Sequence, residues 1–257
     1  MAHSLFSAPS WLHYFDTIDS TNNYAMKLVE TGLAKHGEVI WAKHQLAGKG
    51  QRGKTWVDNE NNLKFSLMIN GLEKKYSLFS LNMITAIALT NYLKTILPDN
   101  CQIFVKWPND IYINDKKAVG ILIENSFRGM NWNFSVIGIG INLHQQVFPE
   151  DLSLATSLYN ESGLTFSPFE IIQDFRQGLL NAINKATPSE TLLNQYNNYL
   201  YKKDKQVLFR DKKTNNIFEA FVMEVTEEGQ IILLSPTGIL KYQFGELEWL
   251  FKPRLDS

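Results

Sequence analysis

The chain has 257 residues, 44% of them hydrophobic and 20% charged, with 25 Lys and Arg against 26 Asp and Glu. That composition excludes a disordered, collagen-like or coiled-coil chain, and a net charge of −1 excludes a basic overall field directed at nucleic acid. One cysteine, Cys101, excludes an internal disulfide and fits a reducing compartment, read here as the cytoplasm; no apolar run reaches the ~18 residues that span a bilayer, and residues 1–10 lack the blocks of a secretion signal.

In chain order, residues 21–30 read as a short helix, with Asp19 and Ser20 as candidate caps and Gly32 beyond its end. Residues 38–44 read as a strand, followed by a glycine-rich basic loop over 48–54. A second strand over 63–69 comes after the turn-rich run Asp58-Asn59-Glu60-Asn61-Asn62. Residues 78–97 form the strongest helical pattern, apolar nearly all round and therefore buried. Strand signals follow at 103–106, 111–113, 118–124 and 132–139, with Asn114-Asp115-Lys116 as a hairpin turn. Ser167-Pro168-Phe169-Glu170 and Thr187-Pro188-Ser189-Glu190 read as capping boxes that open two helices, each with proline at the first helical position.

After Lys202-Lys203-Asp204-Lys205, short strands at 206–210, 217–225, 230–234 and 239–244 have the spacing of a small β-barrel. The expectation is an α+β chain: a mixed sheet with helices packed on one side in residues 1–201, and a small barrel in 202–257.

Gly48-Lys49-Gly50-Gln51-Arg52-Gly53-Lys54-Thr55 fits both G-x-G-x-x-G and the phosphate-loop pattern G-x-x-x-x-G-K-T. Both patterns require a helix next, because its N-terminus helps to hold the phosphate. Residues 56–62 have no helical period. Between Glu38 and Asp58 there are four basic residues, Lys43, Lys49, Arg52 and Lys54, and no acid. A flexible cationic loop that folds over an anion accounts for this better than a rigid helix-capped one.

Lys106-Trp107-Pro108-Asn109-Asp110 follows the apolar Ile103-Phe104-Val105. A lysine at the end of a buried strand needs an anion or a carboxylate, and Asp110 is the internal candidate. Gly120 inside the next apolar strand, and Gly138-Ile139-Gly140-Ile141-Asn142 in another, indicate close approach by a ligand or by other chain.

These blocks, in this order, resemble biotin–protein ligases. The resemblance rests on Asp19-Ser20-Thr21-Asn22, Gln45, the glycine loop with Trp56, and Lys106-Trp107-Pro108-Asn109-Asp110. It continues through Lys117-Ala118-Val119-Gly120-Ile121-Leu122, the Gly138–Asn142 block and Ala155-Thr156-Ser157-Leu158. It covers residues 15–160 or thereabouts. It implies a fold like that of the class II aminoacyl-tRNA synthetases and biotin ligases, with a C-terminal SH3-like barrel. It also implies a two-step reaction. Biotin and ATP, with Mg²⁺ shielding the triphosphate, give biotinyl-5′-AMP; a lysine of a biotin carboxyl carrier protein domain then takes the biotinyl group.

By the same resemblance, Ser20, Thr21 and Gln45 bind the biotin ureido ring and Asn22 supports them, although Ser20 and Thr21 also suit a helix cap. Lys49, Gly50 and Gln51 lie along the valerate, Gly120 lines the biotin site, and Arg52 reaches the phosphate. Trp56 closes the loop. Lys106 bridges the biotin carboxyl and the α-phosphate; Asn109, Lys117 and Asn142 serve the adenylate, and Phe148 is offered as the adenine stack. Position 49 is lysine where the family usually has arginine, so charge is kept and a bidentate grip is lost. Position 51 is glutamine where some members have arginine.

Nineteen residues before Ser20 leave no room for a DNA-binding domain, so no repressor activity is expected; a monomer or a homodimer fits equally. The competing readings are a lipoate–protein ligase, a phosphate-loop NTPase and a non-catalytic SH3-like binding module.

Overall fold

A computed structural model describes residues 9–72 and 75–251. The N-terminal part is built on a seven-stranded mixed sheet. Its strands are β1 (Leu12–Ile18), β2 (Val39–Gln45), β3 (Leu63–Asn70), β4 (Ile103–Lys106), β5 (Asp110–Ile113), β6 (Lys116–Arg128) and β7 (Asn131–Ile141), in the order β1-β2-β3-β7-β6-β5-β4. Only β1 and β2 pair in parallel.

Period-two alternation on β3 sorts the helices to the two faces. Leu63, Phe65, Leu67 and Ile69 point into the main core with α2 (Leu78–Ile96) and α4 (Pro168–Asn184), where the Phe65 ring meets Phe175 edge-on at 6.0 Å. Met68 points the other way, into a smaller cluster with Ile40, Val136 and the Ala25 and Val29 side chains of α1 (Thr21–Glu30). The helix α1 covers only part of that second face, and the remainder is the floor of a cavity.

A second, antiparallel sheet follows α3 (Leu158–Ser162) and α5 (Ser189–Asn198). It consists of β8 (Gln206–Asp211), β9 (Ile217–Val225), β10 (Ile231–Ser235), β11 (Gly238–Tyr242) and β12 (Leu247–Leu250), in the order β11-β10-β9-β8-β12. The turn at residues 243–246 carries the chain across to β8, so β11 and β12 are opposite edges and the sheet is open rather than a closed barrel. It is tied to the first sheet by Trp107 Nε1, which donates to Gly229 O at 3.0 Å. Asn197 adds a pair of bonds, donating to Val225 O at 3.0 Å and accepting from Val225 N–H at 2.7 Å.

Three elements lay outside the expectation: β1, whose half-polar alternation marks an edge strand, the five-residue α3, and β12. At Ser167 the N-cap half of the capping box forms, with its hydroxyl accepting from Glu170 N–H at 3.3 Å. The one at Thr187 does not: Pro188 takes the cap position and no side chain caps α5. Among the described residues no helix is long and apolar enough to cross a membrane.

Candidate active site

The register of the sheet lines up one row of residues across six strands, all on the cavity face: Ala42, Lys64, Gly140, Gly120, Asp110 and Lys106. A second row, Ile40, Ser66, Gly138 and Leu122, runs beside it. Two glycines in the middle of the first row leave a trough between polar walls. Loop residues 46–62 and the C-terminal sheet roof that trough, enclosing a cavity of about 580 Å³, the size of a small-molecule site.

One end is a neutral hydrogen-bonding cluster. Thr21 donates its N–H (2.8 Å) and its hydroxyl (3.1 Å) to Gln45 Oε1. Ser66 Oγ stands 2.6 Å from Asn22 Oδ1 and 2.8 Å from Thr21 Oγ1. Ser20 occupies the N-cap of α1, yet its hydroxyl makes no capping bond, so it is left to face the cavity. Asn22 fits over Gly138 so closely that a β-carbon there would stand 2.2 Å from its amide oxygen, and its Nδ2 donates to Glu124 at 2.8 Å.

The other end is cationic. Lys106 makes no hydrogen bond or ion pair among the described residues. Its ammonium sits 5.3–5.5 Å from the ring centroids of Tyr112, Trp249 and Phe251. Burial pulls its pKa down to about 8; Asp110 opposes that shift, and the like charges of Lys117 and Lys54 reinforce it. Asp110 is therefore not the internal partner of Lys106: it pairs with Lys117 at 2.7 Å.

Ser20, Thr21, Asn22 and Gln45 line this one cavity, as do Lys49, Gly50, Gln51, Arg52 and Trp56 of the loop. Lys106, Asn109, Lys117 and Gly120 line it from the sheet. Several are already engaged. Lys49 pairs with Glu124 at 3.3 Å, toward the neutral end. The Arg52 guanidinium lies 4.9 Å from the Phe244 ring centroid and donates to the Phe244 carbonyl, so it is held against the turn that joins the last two strands of the C-terminal sheet. The Nδ2 of Asn109 is spent on Ile121 O at 2.5 Å.

Asn142 is not brought to the cavity. Its side chain is buried, donating to Thr156 O at 3.0 Å and accepting from Asn62 at 3.2 Å, so it fastens the 155–158 segment to the sheet. Phe148 likewise lies outside the cavity lining. Sequence reasoning missed Lys64, Ser66, Glu124 and Trp249. The first two carried a signal, polar side chains at alternate positions of an otherwise apolar strand; Trp249 carried none, because only the fold brings β12 to Lys106.

Residues 14–142 match the biotin/lipoate A/B protein ligase family model. The chain belongs to the biotin/lipoate A/B protein ligase family. It is 30% identical over 246 residues to the bifunctional ligase/repressor BirA of Bacillus spizizenii, an alignment covering 92% of this chain and 73% of that protein. It is 35% identical over 125 residues to the biotin–[acetyl-CoA-carboxylase] ligase of Paracoccus denitrificans, covering 49% of this chain and 51% of that one.

Its fold is similar to that of the biotin protein ligase from Aquifex aeolicus in complex with biotin and ATP, with a TM-score of 0.76 at 23% identity over 94% of this chain and 99% of that one. It is also similar to that of the Leishmania major biotin protein ligase in complex with biotinyl-5-AMP, with a TM-score of 0.64 at 19% identity over 92% of this chain and 100% of that one. The resemblance drawn from the sequence blocks is borne out.

Proposed function

We propose that this protein is an ATP-dependent biotin–protein ligase that forms biotinyl-5′-AMP and transfers the biotinyl group to a lysine of a biotin carboxyl carrier domain. The observation that carries this reading is the polarity of the cavity. A neutral donor–acceptor cluster at Ser20, Thr21 and Gln45 lies at one end, and a cation without an anionic partner, Lys106, at the other. Biotin has the same layout, a ureido group joined by an aliphatic chain to a carboxylate.

In the first step a carboxylate oxygen of biotin bonds to the α-phosphorus of ATP and pyrophosphate leaves. Lys106 faces the oxygens where negative charge grows, and a preorganised cation in a dry site acts most strongly there. In the second step the acceptor lysine nitrogen bonds to the acyl carbon, AMP leaves and the amine loses a proton. Holding the two reactants together supplies much of the rate. Mg²⁺ enters with ATP as part of the substrate.

Lipoate ligase is the second reading within the family. The polar ring end argues against it, because a dithiolane leaves those groups without partners. We further propose that the protein lacks repressor function and works in the cytoplasm, supported by its net charge of −1 and its single cysteine.

The test is incubation with biotin, Mg·ATP and a purified carrier domain, followed by mass measurement. Addition of one biotinyl group, abolished when the acceptor lysine is replaced by arginine, is expected. An unmodified carrier with continued ATP turnover contradicts the reading.

A further inference from the structure

Lys64 lies on the interior strand β3 with a side chain only 1% exposed. A buried ammonium must have its three protons accepted. They go to the Lys43 carbonyl at 2.5 Å, the Asp58 carboxylate at 2.8 Å and the Asn59 carbonyl at 2.9 Å. Lys64 thus lines the cavity with no proton left for a ligand.

Its three acceptors flank the basic loop: Lys43 lies near the end of β2, and Asp58 and Asn59 lie where the chain returns to β3. Asp58 carries the connection back: Oδ1 also accepts the Gln45 N–H at 3.0 Å, and Oδ2 stands 3.1 Å from His44 Nδ1. Burial pushes the Asp58 carboxyl up, but hydrogen bonds from Lys64, Gln45 and His44 outweigh it and hold the group below the usual carboxylate range. For Lys64, which is deeper, burial wins and the pKa falls. Gln45 in turn holds Thr21 through its Oε1. A continuous chain of contacts runs from Lys64 through Asp58 to Gln45 and Thr21.

We propose that Lys64 and Asp58 are positioning residues for Gln45, and that their ion pair sets how the Gln45 amide faces the ring end of the substrate. The effect on biotin rests on the reading of the cavity given above; the brace on Gln45 does not. The pair acts at one end of the cavity, so its loss is selective for one substrate. A pair that merely stabilised the β2–β3 connection would affect both.

The experiment compares wild type with Lys64→Met, Asp58→Asn and the double variant, each checked for native circular dichroism. Lys64→Met is expected to raise the KM for biotin about tenfold, leaving the KM for Mg·ATP and the kcat at saturating biotin within about threefold of wild type. Protection of the Gln45 backbone amide against hydrogen exchange falls by about tenfold or more. The double variant is no worse than Lys64→Met, because the pair acts as a unit.

A native-like Lys64→Met protein with unchanged biotin KM and Gln45 exchange overturns the proposal, as does an equal loss for both substrates. If Lys64→Met does not fold, Asp58→Asn supplies the same readouts; it keeps an acceptor for Gln45 but removes the charge, and unchanged exchange in that variant also overturns the brace. If the wild-type protein neither binds nor activates biotin, the biotin reading falls, and the Gln45 exchange difference still decides the brace.

Discussion

The indole of Trp56 covers Gly140 so closely that a β-carbon at Gly140 would stand 2.5 Å from its ring. Gly120, directly opposite Gly140 on the neighbouring strand, would meet the same ring at 2.8 Å. The loop docks on the sheet because these two positions carry no side chain. The Trp56 indole N–H is buried there without a partner among the described residues.

Replacing Gly140 with alanine forces Trp56 off the sheet. We expect little change in thermal stability, since the loop contributes no residue to the main core. The KM values for biotin and ATP should both rise, by about tenfold. Protease cleavage within residues 46–61 should accelerate in the absence of ligand. Unchanged cleavage and kinetics would show that Trp56 is not held by this contact.

Lys106→Ala should reduce biotin-dependent pyrophosphate release by about 10²–10³, the usual effect of removing a donor aimed at developing oxyanion charge. Biotin affinity should fall much less. Near-normal pyrophosphate release would make Lys106 structural.

The same lysine sets a pH dependence. Its pKa in the free protein is lowered to about 8, and the proposed role requires the protonated form. The kcat/KM for adenylate formation should therefore fall as pH rises from 7 to 9, with a midpoint about 8. Lys117→Ala removes a like charge and frees Asp110, so the midpoint should move up. A profile flat to pH 9 in the wild type contradicts the assignment.

Arg52 joins the loop to the C-terminal sheet through the ring and carbonyl of Phe244, beside Gly245, where no side chain fits. Arg52 is exposed and Phe244 half-buried, so removing the arginine alone costs little stability. Arg52→Ala should leave thermal stability nearly unchanged and increase cleavage within residues 46–61. Equal cleavage in variant and wild type would remove the latch.

Much of this was legible in the sequence. Gly120 and Gly140 stood out as breaks in apolar strands, and the register places them side by side under Trp56. The helix of α1 and the motif Ser20-Thr21-Asn22 were read together because one short segment both starts a helix and supplies polar groups. The protein partners of Asn142 were not legible, because a polar residue at a strand end looks the same in sequence whether it faces a ligand or binds neighbouring chain, as its bonds to Asn62 and Thr156 do. Lys49 and Arg52 were read as free cations because their partners, Glu124 and Phe244, lie 75 and 192 residues away. The ring cage at Lys106 depends on β12, whose four residues carry too short a pattern to be read as a strand.

On the reading proposed above, the neutral end of the cavity discriminates between the two acids that the family name covers. Thr21 and Gln45 satisfy each other through one amide oxygen, leaving the Gln45 Nε2 without a protein partner among the described residues. A buried polar group without a partner costs about 1–3 kcal/mol, enough to reject a dithiolane in favour of a ureido ring.

Pyrophosphate–ATP exchange measured with biotin, lipoate or octanoate as the only acid tests this directly. The account predicts exchange with biotin, almost none with the other two, and a narrowed gap when Thr21 and Gln45 are both replaced by alanine. Exchange with lipoate as fast as with biotin in the unmodified protein would contradict it.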